Sequence, residues 1–146
     1  MSLDRRKASP IVGMLAGMER TLKVSEHHVW VGIDDQHVFF GVTNYGQSEL
    51  GRIISVELPE LGDKVEKGEA FAEVESQNTA AELIAPVSGT VIAVNPELES
   101  YPSIINEDPY NDGWIIEVEL KDISEVRSLM DMDEYYHFVF KPNPGE

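Results

Sequence analysis

The chain has 146 residues and a formal net charge of −16, and hydrophobic residues make up 42% of it. That length and apolar content suit one domain with its own core, and the charge opposes binding to nucleic acid or anionic membranes. The absence of cysteine removes disulfides, thiol catalysis and thiolate-bound zinc.

No apolar run approaches the length of a membrane span. A cytoplasmic monomer that binds neither nucleic acid nor membrane is expected. Residues 1–21 read as a leader, expected to be a flexible arm: Arg5, Arg6 and Lys7 precede a mildly apolar stretch in which Gly13 and Gly17 weaken any helix.

The domain is expected over residues 22–140. Val29, Val31 and Ile33 alternate with Trp30 and Gly32, which is the strand period. After a turn at Asp34, Asp35 and Gln36, residues 37–43 return as the second arm of a hairpin. Residues 44–51 suit a short helix capped by Asn44 or Thr43 and ended by Gly51. Residues 52–58 form a strand stopped by Pro59, and residues 61–68 a tight loop between Gly62 and Gly68.

Residues 70–89 read as strand, polar turn, strand. Phe71 and Val74 lie on the rising arm, and Leu83 and Ile84 on the falling one. Gln77, Asn78 and Thr79 form the tip, where Asn tolerates tight-turn backbone angles. Pro86 ends the second arm. A strand over 90–95, a loop over 98–110 and a strand over 113–120 follow. Beyond Asp122 the period changes: Ile123, Val126, Leu129 and Met130 recur at helical spacing, with a second helical turn over 131–138. Residues 141–146 read as a flexible tail. Many short strands with Gly and Pro turns, then a C-terminal helix, indicate a mainly β sandwich or flattened barrel.

From Gly68 to Leu120 there is no Lys or Arg, while eleven acids lie there, among them Glu73, Glu75, Glu82 and Glu117. Such a run reads either as a solvated face or as a docking face for electropositive partners. His27 and His28, read as strand neighbours, point to opposite faces and cannot chelate one metal; His37 and His137 stand alone in sequence. Glu73 and Glu75 share a strand face, but nothing else marks general acid–base chemistry. Trp30 and Trp114 read as core, Tyr110 as loop packing. No catalytic or metal site is expected.

Several blocks together carry a family resemblance. Val74-Glu75-Ser76 and Pro86-Val87-Ser88-Gly89 flank the tip; His28-Val29-Trp30-Val31, Gly41-Val42-Thr43-Asn44-Tyr45-Gly46-Gln47, Asn106 to Tyr110 and Gly113-Trp114-Ile115 stand in matching order. In these the chain resembles the glycine cleavage system H-protein family, relatives of lipoyl and biotinyl domains. The resemblance implies a lipoyl-domain-like barrel-sandwich hybrid of two antiparallel sheets with short helices and a C-terminal helix.

It also implies a non-catalytic carrier whose lipoyl-lysine passes an aminomethyl group among glycine decarboxylase, aminomethyltransferase and dihydrolipoyl dehydrogenase. The family's lysine falls on Asn78, with Glu75 and Ser76 before it, and two acids of the helix region become Asn44 and Arg52. A carboxamide is not nucleophilic, so neither lipoate nor biotin is expected on this chain. Three readings follow: a non-lipoylated binding module, a working lipoyl carrier whose lysine is altered in this copy, or an unrelated ligand-binding role on the same scaffold.

Overall fold

The computed structural model describes residues 22–34 and 37–140. The expected leader and tail, and Asp35 and Gln36 of the first turn, lie outside the described residues. The strands are β1 (Lys23–Val24), β2 (Val29–Asp34), β3 (His37–Val42), β4 (Ile53–Glu57), β5 (Lys64–Val65), β6 (Ala70–Ser76), β7 (Ala80–Ile84), β8 (Gly89–Val94), β9 (Ile116–Leu120) and β10 (Met130–Asp131). The helices are α1 (Asn44–Leu50), α2 (Ile104–Glu107), α3 (Ser124–Arg127) and α4 (Met132–Phe140), with a 3-10 turn at Pro96–Glu99.

Two antiparallel sheets result. One has the order β10-β1-β2-β3-β9-β8-β5, the other β4-β6-β7. They face each other across the main core, as the expected mainly β, two-sheet architecture with short helices and a C-terminal helix requires. Val31 and Phe40 from the large sheet meet Phe71, Val74 and Leu83 from the small one. The Phe40 and Phe71 rings stand edge to face with centroids 5.1 Å apart. Burial of each such ring stabilises the fold by about 2–3 kcal/mol, so this contact fastens the hairpin sheet to the body.

The large sheet is buried on both faces. Val29 and Val31 point into the main core, while Trp30, Phe39, Ala93 and Trp114 point the other way, into a second cluster closed by Met132 and Tyr135 of α4. The Trp30 indole N–H donates to the Pro109 carbonyl at 3.0 Å, and Phe39 meets Trp114 edge to face at 5.4 Å. Ile33, at the end of the alternating series, is instead exposed.

Three local expectations are corrected. His27 and His28 do not sit in a strand: they form the turn between β1 and β2, with the His28 N–H bonded to the Ser25 carbonyl and His28 at φ 70. Residues 129 and 130 are not helical. Met130 and Asp131 form β10 on the free edge of β1, and the extended backbone sends Leu129 to one core and Met130 to the other. A four-residue helix forms too few hydrogen bonds to compete with that pairing. Finally, β9 begins at Ile116; Ile115 is still tied to Phe40 by an N–H···O=C bond of 2.8 Å.

The Gly41 backbone passes directly over Trp30, and a Cβ at Gly41 would stand 2.3 Å from the indole. Gly41→Ala should therefore destabilise the domain by about 1–3 kcal/mol, read as a lower denaturant midpoint with an unchanged m-value.

Candidate functional site

β6 and β7 pair in the register Glu73↔Glu82, Val74↔Ala81 and Glu75↔Ala80. Gln77, Asn78 and Thr79 are left as an exposed tip. Ser76, which is buried, closes the turn. Its N–H donates to the Thr79 carbonyl at 2.7 Å. Its hydroxyl donates to the Leu50 carbonyl at 2.7 Å and accepts the N–H groups of Asn78 and Thr79, each at 3.1 Å.

The tip rests on the elbow between α1 and β4. α1 starts where Thr43 Oγ1 accepts the Gly46 N–H, an N-cap that satisfies one of the helix's open donors. It stops at Gly51, whose φ of +88 favours glycine. The Gln77 N–H donates to the Arg52 carbonyl at 3.0 Å. A Cβ on Gly51 would stand 2.6 Å from Asn78 Nδ2, so the Asn78 carboxamide lies against the bare backbone there.

Asn106 of α2 braces the elbow from its other side. Its Oδ1 accepts the Ile53 N–H at 2.9 Å, and its amide donates to the Gly51 carbonyl and to Gln47 Oε1. Gln47 in turn donates to Asn44 Oδ1. The surroundings of the tip thus combine uncharged amides with the Arg52 cation, where the family resemblance implied acids at positions 44 and 52.

Of the residues singled out from sequence, Ser76 and Asn78 meet at the tip, and Glu75 stands one strand position away, exposed, with the Ser55 hydroxyl donating to its Oε1. Gly51, Arg52 and Asn106 complete the site and were not predicted as site residues. Their sequence signals were a helix terminator, a replaced family acid and part of a motif block. Position along the chain could not show that they converge on residues 76–78.

The acidic run divides in two. Glu73 and Glu82 of the run lie abreast with Glu57 of β4, which precedes it, through the pairs Glu57↔Glu73 and Glu73↔Glu82, all exposed. Like charges directly opposite are unfavourable, so this face carries strong negative potential. Glu117 departs from that picture: it is buried, with Oε2 3.4 Å from His37 Nδ1, so His37 is not isolated either. Tyr110 supports the α1 N-terminus, its hydroxyl accepting the Asn44 N–H at 3.0 Å. Among the described residues no three His, Asp or Glu side chains converge as a metal site would require.

Lys64 and Lys67 lie before the hairpin base, where the Lys67 ammonium donates to Ser128 Oγ at 3.2 Å. The length of β6 separates that base from the tip by roughly 20 Å. A cleft of about 370 Å³ also lies at the base, lined by Val24, His27, Lys67, Pro86, Leu129 and Phe138 among others, away from Asn78.

The glycine cleavage H-protein family model matches residues 22–141. The glycine cleavage system H protein of Halalkalibacterium halodurans is 48% identical over 125 residues, covering 86% of this chain and 98% of that protein. That of Bacillus cytotoxicus is 49% identical over 114 residues, covering 78% and 90%. The crystal structure of a Mycobacterium marinum glycine cleavage system H protein superposes with a TM-score of 0.76 at 33% identity, over 82% of this chain and 97% of that one. The fold is that of a two-sheet β protein of the H-protein class, and the chain belongs to the glycine cleavage H-protein family. No helix among the described residues is long and apolar enough to cross a membrane.

Ser76→Ala should unfasten the tip. It removes a hydroxyl that serves one carbonyl and two amides, and should cost about 1–3 kcal/mol, with faster hydrogen exchange at Asn78 and Thr79 than at the β6–β7 ladder amides.

Proposed function

We propose that this chain is an H-protein scaffold that carries no lipoyl arm and acts as a non-catalytic binding module. It would occupy the docking sites of glycine decarboxylase, aminomethyltransferase and dihydrolipoyl dehydrogenase in the cytoplasm as a monomer. The observation that carries this reading is the side chain at the tip, the carboxamide of Asn78 lying on Gly51. Amide attachment of lipoate needs an exposed primary amine; a carboxamide nitrogen has its lone pair delocalised into the carbonyl and does not attack an activated acyl group. The residues at the tip therefore do not fit the cofactor.

Among the described residues no neighbouring side chain fills the role. The main chain of Arg52 touches the tip, but a guanidinium stays protonated at neutral pH and is not acylated. Lys64 and Lys67 belong to the other end of the hairpin. The rest of the hairpin is intact: Ser76 holds the turn, and the row Glu57, Glu73 and Glu82 offers a negative face to an electropositive partner. Glu75 and Ser76 then serve presentation of the tip rather than attachment.

Two outcomes test the reading. Added to a glycine cleavage assay driven by a separate lipoylated H-protein, the chain should raise the apparent KM for that carrier and leave kcat unchanged. The Glu73→Lys/Glu82→Lys variant should weaken this competition roughly tenfold. No effect on the assay at any concentration would contradict the docking role. With lipoate, ATP and a lipoate ligase, Asn78→Lys should gain one lipoyl group on residue 78; failure of the folded variant to do so would show that more than the amine is missing.

A further inference from the structure

Beside the turn between β1 and β2 runs a chain of hydroxyl and imidazole groups that the hairpin tip does not use. His28 Nδ1 lies 2.8 Å from the Tyr135 hydroxyl of α4, and that hydroxyl lies 2.7 Å from Thr43 Oγ1. Thr43 is fully buried, and its Oγ1 already accepts the Gly46 N–H at 2.9 Å as the cap of α1. We propose that His28, Tyr135 and Thr43 form a proton-operated clasp that holds α4 on the body while the imidazole is neutral and loosens it when the imidazole is protonated.

The direction of the chain carries the argument. Thr43 Oγ1 accepts from Gly46 and still carries a hydrogen of its own, for which the Tyr135 oxygen lies within reach; with that bond made, the Tyr135 hydrogen goes to an unprotonated Nδ1 of His28. Every donor then has an acceptor. A proton on Nδ1 reverses the chain: Nδ1–H donates to Tyr135, Tyr135 donates to Thr43, and the Thr43 hydrogen loses its acceptor in a buried site, which is costly. The ring cannot swing aside freely. The His28 N–H is held by the Ser25 carbonyl and its C=O by the Thr43 N–H, and the ring packs on Tyr45 at 5.1 Å and Tyr135 at 5.8 Å between centroids.

The groups facing the ring agree in the main. Burial lowers the His28 pKa first, the neighbouring His27 lowers it further, and Glu49 of α1 opposes them; Glu26 beside His27 is exposed. Burial raises the Tyr135 pKa, so the phenol remains a donor. The sign follows. A histidine whose folded pKa lies below its unfolded value near 6.5 contributes stability above that value and loses it as pH falls toward the folded pKa. The readout lies in α4 because Tyr135, which carries the clasp, is one of its two buried residues, with Met132.

Nuclear magnetic resonance on the intact chain tests this. The His28 ring and the α4 amides should share one titration midpoint. Exchange protection of α4 amides, corrected for intrinsic rate, should fall about tenfold between about pH 7.5 and about pH 5, while β6 amides hold. His28→Asn, which tolerates the positive φ, should remove the pH dependence. The proposal is overturned if wild-type α4 protection is flat with pH, if its midpoint differs from that of the His28 ring, or if His28→Asn shows the same fall.

Discussion

The hairpin tip of this protein is held by the backbone at Gly51. That residue ends α1 with φ +88, and the conformation aims the carbonyls of Leu50 and Arg52 at Ser76 and Gln77. Asn106 holds the other side of the same elbow. Two elements far apart in sequence thus meet at the short irregular link of Gly51 and Arg52 between α1 and β4. A side chain at Gly51 would strain the backbone and collide with Asn78, so the elbow and the tip have to be considered as one unit.

In that unit the shape of the tip does not depend on the side chain at residue 78. The turn at residues 76–79 is closed by Ser76 and by main-chain bonds, none of which involves an amine at residue 78. Asn at the tip therefore costs the fold little, and its carboxamide gains packing on Gly51. The acids on the hairpin sheet are a different matter. Glu57, Glu73 and Glu82 abreast repel one another, and folding gains nothing from the arrangement. A basic partner surface would convert that repulsion into attraction.

Much of the architecture was legible in the sequence because local signals and tertiary contacts agreed. Thr43 as one of two cap candidates, Gly51 as terminator, and the strand–tip–strand pattern of residues 70–84 needed only turn chemistry and period. The misreadings share a cause. Met130 followed a helical period until the edge of β1 captured it, and His28 sat beside a strand until the Ser25 carbonyl folded it into a turn. In each, a partner remote or irregular in register outweighed a weak local preference. The site was half legible: Glu75, Ser76 and Asn78 could be named from the hairpin, whereas the bracing by Asn106 joins residues 53 positions apart, which no local pattern encodes. Glu117 was misplaced on the surface because an acidic run says nothing about which member faces His37.

The central claim is that the tip of this H-protein scaffold offers a carboxamide where an acyl arm would need an amine. The most direct measurement is the intact mass of the chain purified from the cells that naturally make it, grown with abundant lipoate. The account predicts the mass of the unmodified polypeptide; a lipoyl-sized increment, mapped by fragmentation to any residue, would contradict it.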